Sequence, residues 1–290
     1  MCLKTPKRKK PRSTFLEPFP KKKRFTWLFK ALPPLIFTTF LLTLFWSFPT
    51  EQEVFTIVGS TSVAPLMELL TQRYRNVDKQ VSFKVLRTGS EAGLQILHED
   101  KADLSTISRD LLKEETKGFE QHRIAHDPLV LIAHSSVPPL SLSRLQVQKI
   151  FTEEMDNWQQ IGGPDLPLVA VSRDQASGTR TAFLQLLGLK EESDRFSLVS
   201  GSQNVVDFVR NTPGAVGYVS WAFRTPLTTM LAFDGVMPDP TQVIEGNYLL
   251  SRPFILLVPD GSPAALHRFV QWILSPEGQG LVSSHWVAVH

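Results

Sequence analysis

Cysteine is nearly absent from this sequence, since Cys2 is the only one among 290 residues. A single cysteine excludes an internal disulfide and a cysteine cluster for a metal, and it does not identify the redox compartment. Because Cys2 follows Met1 with no apolar stretch before it, we do not expect it to be the lipidated cysteine that ends a lipoprotein signal. The chain must therefore rely on a hydrophobic core, and its 42% hydrophobic content is that of a globular protein.

Motifs for nucleotide binding and for catalysis are also missing from the sequence. The absence of Gly-x4-Gly-Lys-Ser/Thr, of Gly-x-Gly-x-x-Gly after a strand and of Gly-x-Ser-x-Gly argues against nucleotide binding and against a serine hydrolase. His122 and His126 are four residues apart and could share a helical face, but no His-Glu-x-x-His or cysteine cluster supports a metal role for them. We therefore expect no enzymatic activity, no cofactor and no metal site.

The positive charge of the chain is concentrated at its N-terminus. Residues 1–30 hold 11 of the 31 Lys and Arg residues and, at Glu17, one of the 28 acidic residues, so that 20 basic and 27 acidic residues follow. The high isoelectric point therefore belongs to a tail, and the acidic remainder gives no general electrostatic reason to bind nucleic acid.

An uncharged segment follows the basic tail, with the sequence ALPPLIFTTFLLTLFWSFPT at residues 31–50. Twenty helical residues span about 30 Å, which is the hydrocarbon thickness of a bilayer. The basic residues before it predict a cytoplasmic N-terminus, with the rest of the chain in the periplasm or outside the cell. A cleaved signal peptide is the competing interpretation, but the segment WSFPTEQE has no small-x-small cleavage site. We expect an uncleaved single-pass anchor.

The remainder repeats one local pattern three times. A strand-like run at residues 54–58, 81–86 or 168–171 leads into a small polar turn, and each turn leads into an apolar-periodic helix. Further strands are predicted at residues 102–107, 129–133, 215–219 and 254–258, and further helices at 143–151, 203–211 and 264–274. Alternation of this kind indicates an α/β protein in which helix N-termini open from strand ends.

The three turns share a chemical property. Each presents unpaired backbone N–H groups, the positive end of a helix dipole and short hydroxyl donors, and one such turn alone would be no more than a helix cap. Three of them, with Arg173 four residues before Ser177, predict a dedicated oxyanion site, because the planar guanidinium matches phosphate in a bidentate way. The alternative for Arg173 is a surface salt bridge.

Several separated motifs, spread over residues 54–289, carry a family resemblance. They are GSTSVAPL at Gly59, TGSEAGLQ at Thr88, ADLSTISRDL at Ala102, IFTEEMDNWQQIGG at Ile150, SRDQASGTRTAF at Ser172, NTPGAVGYVS at Asn211 and ILSPEGQ at Ile273. In this order they resemble the phosphate-binding proteins of bacterial phosphate ABC transporters, the PstS type. The resemblance implies a two-lobed, type II periplasmic-binding-protein-like fold, with residues 54–127 and 226–290 in lobe 1 and residues 128–225 in lobe 2.

By this resemblance the phosphate-binding residues would lie on four of the motifs, at Thr61, Ser62, Ser90, Arg173, Ser177, Gly178 and Thr179. The third motif departs from the family pattern, in which an Asp accepts the proton of hydrogen phosphate. Ser108 or Arg109 occupies that position here, and Arg109 either supplies a second cationic contact or pairs with a neighbouring carboxylate.

The function implied is extracytoplasmic capture of inorganic phosphate by a monomer that delivers it to a phosphate ABC permease. Three alternatives stay open at this point: a tethered sensor of phosphate that takes no part in transport, a phosphatase built on a similar cleft, and a receptor for another oxyanion such as sulfate or molybdate.

Overall fold

The structure of the protein, a computed structural model, describes residues 52–193 and 195–289. The strands are β1 (Glu53–Gly59), β2 (Val81–Leu86), β3 (Leu104–Ile107), β4 (Phe119–Ala133), β5 (Ser141–Leu142), β6 (Val169–Arg173), β7 (Ser197–Val199), β8 (Ala215–Ser220), β9 (Thr229–Phe233) and β10 (Ser251–Pro259). The α-helices are α1 (Ala64–Tyr74), α2 (Ser90–His98), α3 (Arg144–Phe151), α4 (Gly178–Leu187), α5 (Ser202–Asn211), α6 (Pro240–Ile244), α7 (Ala264–Leu274) and α8 (Pro276–Val282). Short 3₁₀ helices lie at Lys113–Thr116, Trp158–Ile161 and Trp221–Phe223.

The three strand-turn-helix units predicted from the sequence are confirmed, because β1 leads to α1, β2 to α2 and β6 to α4. The predicted helix at residues 264–274 coincides with α7. The one predicted at 143–151 begins a residue later, because Ser143 is its N-cap and accepts a hydrogen bond from the backbone N–H of Gln146. His122 and His126 do not share a helical face, since both lie on β4, which begins ten residues before the strand predicted at 129–133.

A continuous sheet path runs β2-β1-β3-β10-β4-β8-β6-β7. β1 pairs in parallel with β2 and β3, and β6 pairs in parallel with β7 and β8, so the two ends of the path each have parallel strands. β4 joins them: its first part pairs with β10 up to Pro128, and from Leu129 it pairs with β8 and β9. The long strand β4 therefore crosses from one lobe to the other.

Each lobe has a core on both faces of its part of the sheet. In lobe 1, one cluster includes residues of α1, α7 and α8, and a smaller one includes residues of α2. In lobe 2, one cluster includes residues of α3 and α4, and the other includes residues of α5. Both lobes are therefore three-layered α/β units, which agrees with the predicted two-lobed α/β architecture.

The return of the chain to lobe 1 differs from the predicted division at residue 226. Phe233, Tyr248 and Leu250 belong to the same hydrophobic cluster as Leu129, and β9 pairs with the lobe 2 part of β4. The chain re-enters lobe 1 at Ser251, the first residue of β10. By packing, lobe 1 comprises residues 52–128 and 251–289, and lobe 2 comprises residues 129–193 and 195–250. The apolar strand β9 fits either lobe by composition, and its pairing partner decides where it lies.

The predicted cytoplasmic tail and anchor, residues 1–30 and 31–50, lie outside the described residues. Within residues 52–193 and 195–289, no helix has both the length and the apolar character that crossing a membrane requires.

Candidate anion-binding site

Polar turns from both lobes meet at the carboxyl ends of the parallel strands. From lobe 1 come the turn after β1 and the start of α2, and from lobe 2 come the starts of α4 and α5. The Ser62 hydroxyl lies 3.0 Å from the hydroxyls of Thr179 and Ser202, and the Thr61 hydroxyl lies 3.2 Å from that of Ser202. The lobes are thus in direct contact through hydroxyl groups at a cleft, and three of these four residues, Thr61, Ser62 and Thr179, were predicted from the family resemblance.

Ser202 is a member of this cluster that the sequence analysis missed. It follows Gly201, whose φ is +83°, and it begins α5 after the short strand β7. The signal was present in the sequence, because Ser200, Gly201 and Ser202 form the same kind of small polar turn before a helix as the three predicted ones.

Arg173 ends β6 and is almost completely buried beneath these hydroxyls. It donates to the hydroxyls of Thr61 and Ser202 and to the backbone oxygen of Val199, each at 3.3 Å. Burial lowers the pKa of the guanidinium, and the nearby charge of Asp174 opposes that shift without forming an ion pair. Arg173 is therefore a buried cation without a paired carboxylate among the described residues, and two of its five N–H groups remain for a ligand.

The start of α4 faces α2 across the cleft. Ser177 caps α4 by accepting from the backbone N–H of Arg180 at 3.3 Å, and the first-turn N–H groups of Gly178 and Thr179 are not needed within the helix. A Cβ built on Gly178 would lie 2.3 Å from the hydroxyl oxygen of Ser90 in the other lobe. Glycine is required here so that the helix N-terminus of lobe 2 can approach the α2 turn of lobe 1.

A buried network holds this helix start in place. Ser172 lies 2.6 and 2.7 Å from the two carboxylate oxygens of Glu192 and 2.6 Å from the Tyr218 hydroxyl, and Arg180 forms an ion pair with the same carboxylate. Burial, together with the charge of Glu192, raises the pKa of Tyr218, which stays protonated and can donate. The network joins the end of β6 to the first turn of α4. These two segments flank the turn from Arg173 to Thr179.

Ser108 lies at the end of β3 and is completely buried in the lobe 1 side of the cleft. Its hydroxyl lies 2.9 Å from that of Ser60 and 3.3 Å from that of Ser90. Its backbone oxygen and hydroxyl both accept from Arg252, at 3.1 and 3.3 Å. The structure therefore places Ser108 with the other predicted residues.

Arg252 and Asp127 were not predicted, and they form a buried ion pair at 3.1 Å next to Ser108. Burial raises the pKa of Asp127 to about 6, against the opposing effect of Arg252, and burial also lowers the pKa of Arg252. Neither residue stands near a motif in the sequence, and their meeting depends on the antiparallel pairing of β4 with β10, where Arg252 lies opposite Asp127.

Arg109 was one of the two residues proposed for the third motif, and in the structure its guanidinium is paired with carboxylates. It pairs with Glu91 at 2.6 Å and with Glu115 at 2.8 Å, and it donates to the backbone oxygen of Asp110 at 2.9 Å. Burial opposes its charge, but the hydrogen bonds to the two carboxylates outweigh burial and raise the pKa of Arg109. Its five N–H groups are all used, so the prediction of an anion contact by Arg109 gives way to the alternative of carboxylate pairing.

Among the described residues, the cleft offers hydrogen-bond donors and one positive charge without a paired carboxylate, that of Arg173. Such a set binds a small tetrahedral oxyanion, because each oxygen must exchange its water for a donor when the anion is buried. Within the described residues, no group of three or more His, Cys, Asp or Glu side chains is arranged to hold a metal ion.

Comparison with family models places residues 47–277 in a PBP superfamily domain. The phosphate-binding protein PstS of Borreliella burgdorferi is 24% identical over 246 residues, which cover 80% of this chain and 88% of that protein. PstS of Bacillus subtilis is 27% identical over 199 residues, which cover 67% of this chain and 66% of that protein.

Two solved structures are also similar. One is named as a phosphate ABC transporter substrate-binding protein from Clostridium perfringens with bound phosphate; it is 33% identical, with a TM-score of 0.79 over 82% of this chain and 100% of that chain. An ABC-type phosphate transport receptor from Vibrio cholerae is 27% identical, with a TM-score of 0.69 over 80% of this chain and 99% of that chain.

Proposed function

The chain belongs to the PBP superfamily and, within it, to the PstS-type phosphate-binding proteins, and from this premise we propose that its interlobe cleft binds inorganic phosphate for delivery to an ABC permease. The relatives are named as binding proteins and receptors, not as enzymes, and PstS-type proteins are extracytoplasmic. The sensor and phosphatase alternatives have no comparable support.

Arg173 is the observation that carries the proposal. A buried guanidinium without a paired carboxylate costs several kcal/mol of folding free energy unless an anion compensates it. Its two remaining N–H groups lie among hydroxyls contributed by both lobes, so an anion held by Arg173 also contacts lobe 1. Binding and the joining of the lobes are then the same event.

The proposed ligand set follows from this position. It contains the cleft hydroxyls, the start of α4 and the buried guanidinium, that is Thr61, Ser62, Ser90, Arg173, Ser177, Gly178 and Thr179, with Ser202 added and Ser108 behind them. Arg109 is left out because its donors are occupied.

Isothermal titration of the purified segment 51–290 with phosphate, sulfate and molybdate in turn tests the proposal. We expect one phosphate to bind per chain, and binding to be selective for phosphate. Equal affinity for the three anions would point to a general oxyanion receptor, and no binding of phosphate would refute the proposed function.

For the N-terminal segments we propose a cytoplasmic basic tail at residues 1–30 and an uncleaved anchor at residues 31–50, which would hold the monomeric receptor at the membrane. The uncharged length of the segment and the basic residues before it support this. Full-length protein should remain with the membrane fraction after a carbonate wash, whereas a soluble product lacking residues 1–50 would show that the segment is a cleaved signal.

A further inference from the structure

The buried pair of Asp127 and Arg252 lies where the two lobes join. Asp127 accepts from the Ser220 hydroxyl at 2.7 Å and from the Trp221 backbone N–H at 3.2 Å, both in lobe 2. Arg252 donates to Asp127 and, through Nη1, to Ser108 in lobe 1. The pair therefore connects the crossing strands to the lobe 1 side of the cleft.

The direction of the hydrogen bonds around Ser108 follows from counting protons. The Ser60 hydroxyl oxygen accepts from the backbone N–H groups of Ser62 and Val63, at 3.1 and 3.4 Å, so its own proton goes to Ser108. The Ser108 hydroxyl oxygen thus accepts from Ser60 and from Arg252, which occupies both of its lone pairs. The Ser108 proton is left to be donated, and the hydroxyl of Ser90 at 3.3 Å is its acceptor.

The same count applies to Ser90. Its hydroxyl oxygen accepts from the backbone N–H of Ser108 at 3.2 Å and from the Ser108 hydroxyl. Its own proton is therefore the one that remains, and the Ser90 hydroxyl lies against the start of α4, where a Cβ on Gly178 would approach to 2.3 Å. Ser90 is thereby fixed as a hydrogen-bond donor at the site proposed for the anion.

We propose that Arg252 is a positioning residue of the anion site, which acts through a relay of hydroxyl groups, from Ser108 to Ser90, that directs the Ser90 proton into the cleft. The inference rests on the proposed function, because it explains how one donor to phosphate is oriented. Each hydroxyl in a chain of hydrogen bonds becomes a better donor when it also accepts one, so the positive charge of Arg252 strengthens the Ser90 contact without touching the ligand.

The planar fork of Arg252 is needed for this role. Nε and Nη2 donate to Asp127 while Nη1 donates to Ser108, so one side chain holds both partners. The single ammonium group of a lysine keeps the charge but cannot span both partners at once.

The test is a double-mutant cycle measured by calorimetric titration of the full chain with inorganic phosphate. Arg252→Lys and Ser108→Ala should each weaken phosphate binding about tenfold or more, the usual size for a hydrogen bond to an ion. The double variant should bind about as weakly as the weaker single variant, because both substitutions interrupt the same relay.

Ser105→Ala is the matched control, since Ser105 is a buried serine on the same strand β3 whose hydroxyl has no partner among the described residues. It should leave phosphate affinity unchanged. The urea unfolding midpoint of each variant distinguishes a loss of the relay from a loss of stability. If Arg252 had a purely structural role, the midpoint would fall and the two substitutions would have additive effects on the free energy of phosphate binding.

The relay would be refuted if Arg252→Lys bound phosphate with wild-type affinity. It would also be refuted if the losses of binding free energy in the two single variants added up in the double variant. If Arg252→Lys does not fold, the cycle of Ser108→Ala with Ser90→Ala replaces it, and additive losses there refute the relay equally. Failure of the wild-type chain to bind phosphate is a different result, because it removes the proposed function itself.

Discussion

At the scale of single residues, two buried arginines show how surroundings decide function. Arg109 and Arg173 are 4% and 1% exposed and both stand at a strand end in a family motif, since Arg173 is the last residue of β6 and Arg109 comes two residues after β3. Arg109 donates all its N–H groups to acceptors of lobe 1, which include the carboxylates of Glu91 and Glu115, whereas the partners of Arg173 among the described residues are all neutral. The cost of burying the charge is therefore offset within the protein for Arg109, whereas for Arg173 a bound anion would offset it.

Arg173→Ala is expected to abolish detectable phosphate binding and to leave the fold intact, because the hydrogen bonds that Arg173 makes in the protein are few and long. Calorimetric titration measures the affinity and circular dichroism checks the fold. Arg195→Ala, which removes an exposed arginine of lobe 2, is the control and should bind as the wild type does. Tight binding by Arg173→Ala would show that the site lies elsewhere.

Glu115→Gln should reveal the pH dependence of the Arg109 ion pair. The hydrogen bond from Arg109 lowers the pKa of Glu115 below its ordinary value of 4.5, so the folded state favours the charged carboxylate. The wild type should exceed the variant by about 1 kcal/mol in unfolding free energy above pH 4.5. This advantage should fade as the pH falls through the lowered pKa.

Urea unfolding of both proteins across the acid range measures this difference. Because a depressed carboxyl pKa stabilises only where the carboxylate is ionised in the folded state, an advantage that persisted at low pH would contradict the ion-pair explanation.

At the scale of elements, the site consists of strand ends and helix starts. The turn after β1 and the starts of α2, α4 and α5 supply hydroxyls and N–H groups, and the ends of β3 and β6 supply Ser108 and Arg173. Helix starts suit an oxyanion because their N–H groups have no partner within the helix and the dipole is positive there. α2 and α4 approach each other so closely at Gly178 that a Cβ there would lie 2.3 Å from the Ser90 hydroxyl oxygen.

Gly178→Ala should weaken phosphate binding by at least about tenfold, because the new methyl group would overlap Ser90 when the lobes meet. The fold should survive, since moving the lobes apart relieves the overlap. Titration with phosphate measures the loss, and the unfolding midpoint measures stability.

The matched control is Gly280→Ala in α8, where nothing lies within 4 Å of the added methyl group. Alanine there should stabilise the helix by up to about 1 kcal/mol and leave affinity unchanged. Equal affinity of Gly178→Ala and Gly280→Ala would show that the two lobes need not approach closely at Gly178 for phosphate to bind.

At the scale of the whole molecule, the two lobes share no single core within the part of the chain that the structure describes. Each has its own hydrophobic clusters, and they are joined by β4 and by the return of the chain into β10. Hydrogen bonds between hydroxyls, and one from the backbone N–H of Glu91 to the backbone oxygen of Ala176 at 3.2 Å, hold the two sides of the cleft together, and such contacts exchange readily with water. A ligand that bridges them shifts the lobes toward contact.

Phosphate should accordingly raise the thermal unfolding midpoint of the protein and reduce its radius of gyration. Ligand at 100 times its dissociation constant adds about 2.7 kcal/mol to the unfolding free energy when only the folded state binds. Calorimetry and small-angle X-ray scattering measure the two effects. A similar rise in the midpoint for Arg173→Ala would mean that phosphate stabilises the protein from a different site.

The sequence by itself determined the strand-turn-helix units and most of the cleft. Apolar periodicity and capping act within about ten residues, so the three polar turns and Arg173 could be identified without coordinates, and the family resemblance then singled out Thr61, Ser62 and Ser90 within two of those turns. The α/β class followed from the same alternation, and the two-lobed architecture followed from the resemblance carried by the family motifs.

Only the tertiary structure decided which groups are paired. Arg109 meets Glu91 across 18 residues and Arg252 meets Asp127 across 125, and sequence patterns carry no information about such partners. The lobe to which β9 belongs was fixed in the same way, by its pairing with β4. The physical reason is common to all three. The sequence shows that a buried charge requires a counter-charge and that an apolar strand requires a sheet to pair with, but only the folded chain determines which distant group is the partner.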